Sequence, residues 1–322
     1  MSDYKALTLT ECADRLLKIE RPLVVMHTRP DGDTVGSGCA LCELLTLLGK
    51  KVYYTCQDEI SERLAFLTKG FVRTDDFTGL EAITIDVASP AQAGKIFEKL
   101  NIVLSIDHHA VNTPFCDHYT VGGLSSAGEA LWGIAKELEA RGFIQMTKKM
   151  AALLYASISS DTGGFIFSSA TPKTYTVAAE LMGYGIDHAE INRGLFHSKP
   201  IEQLKAEGLV CSEIKTASDG RIAYAVITKK MRDDAGLLFE HFECAIDVVR
   251  TLMGIQLAFV IKETNDGKYK ASLRSTGSDV ASVAAKHGGG GHVRAAGCTV
   301  EASSCKEAAE ILLADMDNLL WK

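Results

Sequence analysis

Four compact apolar runs constrain the first half of the chain most: Leu23 to Met26, Val52 to Thr55, Ala82 to Ile85 and Ile102 to Ile106, each separated from the next by a longer amphipathic stretch. Short runs rich in valine and isoleucine mark strands covered on both faces. Alternating with helices, they predict an α/β domain built on a parallel sheet with flanking helices. Three of the four lead into polar residues. His27 follows the first, Asp86 the third, and Asp107, His108 and His109 follow the fourth. Open α/β sheets gather their ligands at that carboxyl edge.

Helix starts punctuate the same half. Thr8 with Glu11 and Ser126 with Glu129 have capping-box spacing, and Thr171 before Pro172 reads as an N-cap and first helical position. Residues Met150 to Ser157 read as a helix that delivers Asp161 just beyond its end, into the Gly163-Gly164 turn. The alternation then lapses into a polar helical connector. Beyond it, Val210 to Lys215 with Ile222 to Thr228, and Ile255 to Glu263 with Tyr269 to Ser275, carry hairpin signatures around Ser218-Asp219-Gly220 and Asn265-Asp266-Gly267. Helical stretches at Cys244 to Leu252, Val280 to Lys286 and Lys306 to Leu320 complete a smaller α+β domain. The expected organisation is a catalytic α/β domain over residues 1–189, a helical linker over 190–213 and a substrate-binding domain over 214–322. With 322 residues, 47% of them hydrophobic, the chain can fill two such cores.

Composition narrows the function classes. A formal charge of −7 argues against a broad basic track along a long nucleic acid. No segment approaches the roughly 20 apolar residues needed to span a bilayer. Met1 to Arg21 reads as a polar start and an amphipathic helix, so a cytoplasmic protein with no membrane partner is expected. Nine scattered cysteines fit reduced thiols better than a disulfide framework. Cys39 and Cys42 form a lone CxxC on an apolar helical run and read as core thiols.

The polar strand ends carry the chemistry. In His27-Thr-Arg-Pro-Asp31-Gly-Asp33, an imidazole and two carboxylates share one loop, and alternate residues of an extended loop would point both aspartates the same way. A turn would use the same residue types. Asp86, alone, reads as a helix cap or a solvated loop residue more readily than as a ligand; its neighbours change that, since two oxygens let such a carboxylate bridge two ions. In Ser105-Ile106-Asp107-His108-His109, adjacent histidines of extended chain point apart, so one can bind metal while the other faces substrate, and Asp107 can orient a ring. Ser160-Asp161-Thr162-Gly163 supplies one more carboxylate.

Taken in order, His27-xxx-Asp31-x-Asp33, Asp86, Asp107-His108-His109 and Asp161-Thr162-Gly163 resemble the four motifs of the DHH phosphoesterase family. The resemblance extends to the second domain, where Ser272-Leu-Arg274-Ser275 and Gly288-Gly289-Gly290-Gly291-His292, followed by Ala295-Ala-Gly297, look like the DHH-associated substrate domain. It implies two Mn²⁺ ions, with Mg²⁺ or Co²⁺ as possible substitutes. By that resemblance His27, Asp31 and Asp86 hold one ion, and Asp33, Asp86, His108 and Asp161 hold the other. Asp107 and His109 are the implied catalytic pair, His109 meeting the phosphate or the leaving group. Five aspartates against two divalent ions leave one net negative charge, a balance that supports two ions over one.

In the second domain, alternation along Tyr269 to Ser275 puts Lys270, Ser272 and Arg274 on one face. With Ser275, Gly289, Gly290, Gly291 and His292, that face is the expected anion site across an interdomain cleft. Within the family, a chain of this size resembles the nanoRNase and adenosine 3′,5′-bisphosphate phosphatase branch, which implies short oligonucleotides or mononucleotide bisphosphates as substrates. A phosphodiesterase for cyclic or linear dinucleotides would use the same residues. A manganese pyrophosphatase would carry a basic Ser-Arg-Lys-Lys-Gln pattern, and a long-strand exonuclease further nucleic-acid-binding regions. A nucleotide-binding sensor would be expected to lack at least one metal ligand. Homodimerisation is left open.

Overall fold

The computed structural model describes residues 4–320. Two compact units divide the chain, Met1–Ser198 and Lys199–Lys322.

The first unit begins with α1 (Leu9–Lys18), closed at its start by a Thr8/Glu11 capping box. It continues with β1 (Pro22–Val25), α2 (Gly32–Leu47), β2 (Tyr53–Thr55), β3 (Glu81–Ile85), the short α3 (Pro90–Ala93), β4 (Ile102–Asp107) and β5 (His118–Thr120). Helices α4 (Ala127–Ala140), α5 (Lys148–Asp161), α6 (Pro172–Gly183) and α7 (His188–Asn192) follow, and a π-helical turn covers Arg193–His197. The five strands form a wholly parallel sheet in the order β2-β1-β3-β4-β5. Chain direction away from β1 reverses between β2 and β3, so the carboxyl ends of β1 and β3 flank a topological switch point.

The two sheet faces are covered unequally. Val24, Ile83, Ile85, Leu104 and Ile106 pack into the large core shared with the helices. Leu23, Val25 and Ala82 face a thinner layer with Phe77, Ile96 and Leu100. Both faces are apolar, which is why these strands show no polar alternation.

The second unit starts with α8 (Ile201–Ser212), then β6 (Lys215–Ala217), β7 (Ile222–Ile227), α9 (Lys229–Asp234), a 3₁₀ turn at Phe239–Phe242, α10 (Ala245–Val249), β8 (Leu257–Glu263), β9 (Tyr269–Ser275), α11 (Val280–Lys286), β10 (Gly290–His292), β11 (Ala295–Val300) and α12 (Cys305–Asp317). The mixed sheet runs β10-β11-β9-β8-β7-β6, antiparallel except for the β7–β8 pair. Both expected hairpins form, with one change. Residues 210–212 complete α8 instead of opening a strand, because Val210 packs with Ala206 and Phe242 in a core beneath β7 and β8. Among the described residues, no helix is long and apolar enough to cross a membrane.

Candidate metal centre

At the end of β1, His27 donates its Nδ1–H to the Thr28 carbonyl at 2.7 Å. That bond fixes the tautomer and leaves Nε2 as a lone-pair donor toward the site. Nε2 lies 3.7 Å from Asp31 Oδ1 and 3.4 Å from Asp86 Oδ2. His108, just past β4, repeats the device: its Nδ1–H donates to the Leu124 carbonyl at 3.2 Å. Its Nε2 stands 3.5 Å from Asp33 Oδ2, 3.5 Å from Asp86 Oδ1 and 3.7 Å from Asp161 Oδ2.

Asp86 is the common member. Its backbone is left-handed, with φ of +59°, a conformation that costs a side-chain-bearing residue roughly 1–3 kcal/mol. The β3–β4 pairing continues through it, since its N–H donates to the Ile106 carbonyl at 3.0 Å. The twist turns the carboxylate between the two imidazoles. It is 3% exposed, and Oδ1 is buried without a hydrogen-bond donor. An orphaned buried carboxylate oxygen is costly unless a cation meets it.

Asp31 and Asp33 are arranged differently from the extended loop that their spacing suggests. Asp31 is the N-cap of α2, its Oδ1 accepting from the N–H groups of Asp33 and Thr34 at 3.0 and 3.1 Å. Asp33 is already in the first turn and is 2% exposed. One of its oxygens accepts from the Ala127 N–H at 2.9 Å, at the start of α4, and the other from the Ser157 hydroxyl. Asp161 is the last residue of α5, not a residue beyond it.

Helices α2 and α5 bring these carboxylates together by packing backbone to backbone. A Cβ at Gly36 would sit 2.8 Å from the Ser157 nitrogen, and one at Gly32 would strike the Ser160 side chain. Sequence reasoning passed over Ser157 and the Gly32-xxx-Gly36 step. Small residues spaced by four on one helix, with the serines of Ser157-Ile-Ser159-Ser160 on another, were the available signal.

Three overlapping groups have ligand atoms within 4.8 Å of one another: His27, Asp31 and Asp86; Asp33, His108 and Asp161; and Asp86, His108 and His109. Each could hold a metal ion. Electrostatics shows what that density of carboxylates demands. Burial opposes charge on His27, but Asp31 and Asp86 outweigh it and push the imidazole up to about 11. Burial likewise opposes charge on His108, and Asp86, Asp33 and Asp161 carry it up to about 10. Burial and then the Asp86 and Asp161 charges hold Asp33 well above the carboxylate range. Asp161 rises to about 6, mainly by burial. Asp86 alone falls, to about 2, because both histidines overcome its desolvation. The cluster collects positive charge, as protons if not as metal.

His109 belongs to the third of these groups, its Nδ1 3.7 Å from Asp86 Oδ1. Its Nδ1 donates to Asp107 Oδ1 at 2.7 Å, and its ring centroid is 4.7 Å from that of His108. The Asp107 bond is the main cause raising its pKa. Cys39 and Cys42 are buried in α2 among apolar neighbours, and burial pushes the Cys39 thiol up to about 12. They join none of the described ligand groups.

In the second unit, β9 points Ser272 and Arg274 to one face, where they pair with Gly297 and Ala295 of β11. Arg274 is half-buried and donates to its own neighbour's carbonyl, Leu273, at 3.0 Å. Ser275 alternates to the opposite face and donates its hydroxyl to the Ser278 carbonyl. The glycine run splits. The Gly288 and Gly289 amides donate to the Ala285 and Ala284 carbonyls at the end of α11, so the Gly289 amide, expected to face an anion, is committed to a helix cap. Gly290, Gly291 and His292 form edge strand β10 against β11. The His292 side chain lies outside the described residues.

The DHH family N-terminal domain profile matches residues 21–158, and the DHHA1 domain profile matches residues 222–322. A protein of Thermus thermophilus named bifunctional oligoribonuclease and PAP phosphatase NrnA is 31% identical over 94% of this chain and 91% of its own length. The Bacillus subtilis protein of the same name is 28% identical, over 91% and 92%. The crystal structure of an exopolyphosphatase-related protein from Bacteroides fragilis superposes with a TM-score of 0.87 at 21% identity, covering 96% of this chain and 95% of that one, and so shares the fold. The chain therefore belongs to the DHH phosphoesterase family, with a DHH domain followed by a DHHA1 domain, and is a hydrolytic enzyme.

Proposed function

We propose that the chain is a manganese-dependent phosphoesterase that releases mononucleotides from oligonucleotides roughly two to five residues long and removes the 3′-phosphate of adenosine 3′,5′-bisphosphate. The observation that carries the metal reading is Asp86: a buried carboxylate with an orphaned oxygen, flanked by the Nε2 atoms of His27 and His108. His27, Asp31 and Asp86 would hold one ion, and Asp33, Asp86, His108 and Asp161 the other. A mixed set of oxygens and imidazoles without thiolate suits manganese. The substrate reading rests on the relatives named oligoribonuclease and PAP phosphatase, which match along most of their length.

When bound, such a pair of ions supplies positive charge to the phosphoryl oxygens and an activated water. The chain's own residues do the rest. Leu124 and Thr28 carbonyls hold the imidazole tautomers, and the Ser157 hydroxyl and Ala127 amide hold Asp33 in place. Asp107 orients His109 through Nδ1, leaving Nε2 to meet a phosphate oxygen or to give its proton to the departing one. The Asp107 bond raises the His109 pKa in the metal-free chain, which favours the protonated ring.

The test is a substrate panel under Mn²⁺: adenosine 3′,5′-bisphosphate, a dinucleotide, a five-residue strand, a long single strand, a cyclic dinucleotide and pyrophosphate. The short strands and the bisphosphate should show the highest kcat/KM. Equal or faster digestion of the long strand, or a preference for the cyclic dinucleotide or pyrophosphate, would overturn the assignment.

A further inference from the structure

In the second unit, α11 and α12 cover one face of the mixed sheet. On the opposite face, α8 and α10 cover β7 and β8. Beside that cover, Lys262 of β8 stands directly opposite Lys270 of β9. Like charges in that register destabilise a sheet. Lys262 is only 8% exposed, its Nζ donating to the Phe242 carbonyl at 3.1 Å, and burial depresses its pKa. Arg232, 1% exposed, brings a third cation. Its Nη2 donates to the Glu263 carbonyl at 2.6 Å and to Asn265 Oδ1 at 3.4 Å, while its Nε is buried without an acceptor.

All three cations surround one ring. From the Phe239 centroid, Lys262 Nζ is 4.8 Å, Arg232 Cζ 5.4 Å and Lys270 Nζ 5.8 Å away. Nearby Lys229, Lys230 and Lys268 each pair with an aspartate. Among the described residues, no carboxylate forms an ion pair with Lys262, Lys270 or Arg232, and Glu243 acts on Lys262 only at a distance. In a chain of net charge −7, three unneutralised cations around an aromatic ring are an expensive arrangement to keep without an anion to meet them.

We propose that Lys262, Lys270 and Arg232, gathered around Phe239, form a phosphate subsite that holds a further phosphate of an oligonucleotide substrate. The inference rests on the proposed function and adds a determinant of substrate length to it. Lys270 and Arg274 share a strand face four residues apart, about 13 Å at strand rise, so a short chain of phosphates reaches both while one phosphate reaches one. Cations beside an aromatic side chain are the usual dress of single-strand binding surfaces.

The experiment measures binding of a fluorescein-labelled, phosphorothioate-linked five-residue RNA to the full Mn²⁺-loaded chain by anisotropy, across a salt series. Wild type is compared with Lys262→Met, Lys270→Met and the double variant, and each is also melted with and without pyrophosphate. In the double variant Kd should rise about tenfold, and the slope of log Kd against log salt should shrink by about 0.7, the value for one phosphate contact on a single strand. The melting temperature of Lys262→Met should rise, since an unpaired buried ammonium is removed. Unchanged Kd and slope would overturn the subsite. So would a lower melting temperature with intact binding, which marks a structural lysine, or loss of the pyrophosphate shift alone, which marks a site for free anions. Lysine-dependent binding of a strand that wild type does not cleave would contradict the proposed function and leave the subsite standing.

Discussion

The carboxyl edge of the first sheet and the cation-ringed Phe239 face of the second concentrate charge of opposite sign, and they relieve it differently. Around Asp86 the chain supplies its own counter-charges, with His27 and His108 at 3.4 and 3.5 Å. Around Phe239 it supplies none within ion-pair distance among the described residues. The first cluster is thus prepared to exchange protons for metal, and the second to accept an anion from outside. Buried charge that is compensated internally can be titrated, whereas buried charge without a partner shows itself as lost stability.

The contrast breaks most severely at Asp86. Asp86→Asn keeps the shape but removes the charge proposed to be shared by both ions. Hydrolysis measured under Mn²⁺ should fall at least about 10³-fold with the circular dichroism spectrum unchanged. Retention of a tenth of the activity would mean that the ions do not depend on this carboxylate. His109→Ala should cost on the order of 10²-fold in kcat. If the residue acts on the leaving group, much of that loss should disappear on a substrate with an activated leaving group such as nitrophenol, and an equal loss on both substrates would refute that role.

Ser157→Ala removes one of the two bonds holding Asp33, and Mn²⁺ affinity should fall about tenfold, read by calorimetric titration. An unchanged affinity would make Ser157 a packing residue only.

A gentler test uses pH. In metal-free protein, His27 and His108 have pKa values raised to about 11 and about 10, so the stability they contribute is full below about 6.5 and is lost as pH rises toward those values. Asp161, raised to about 6, destabilises the fold as pH climbs from about 4 to 6, in the same direction. Asp86 acts oppositely, but only near pH 2 to 4. The metal-free melting temperature should therefore fall between pH 5 and 9. Saturating Mn²⁺ should flatten or reverse that slope, because ions replace the protons the histidines give up. A metal-free melting curve that rises with pH would show that the histidines are not charged as described.

Much of the site was legible because the sequence places its groups at strand ends. His27, Asp86 and His108 each follow a run of buried apolar residues, and a parallel sheet carries such positions to one edge. What the sequence concealed depends on tertiary packing. The start of α2, with glycines at 32, 36 and 38, has poor helix propensity and reads as a loop, yet its close contact with α5 needs Gly32 and Gly36, and Gly38 makes room for the Met26 side chain. Asp33 consequently lies in a helix, and its holder Ser157 is distant in sequence. Val210 looked like the opening of a strand because a β-branched apolar residue serves equally in a buried helix face. Gly289 suits an anion site by sequence, but its amide and that of Gly288 close α11, because a glycine run after a helix serves equally as its C-cap. The cation ring around Phe239 draws on residues from a helix, a 3₁₀ turn and two strands, which no local pattern joins.

The central claim is that one carboxylate serves two ions. Mn²⁺ titrated into metal-free protein, with bound equivalents counted, tests it directly. Two equivalents should bind to the wild-type chain, and Asp86→Asn should lose high-affinity binding of both. A single equivalent in the wild type, or two of undiminished affinity in Asp86→Asn, would contradict it.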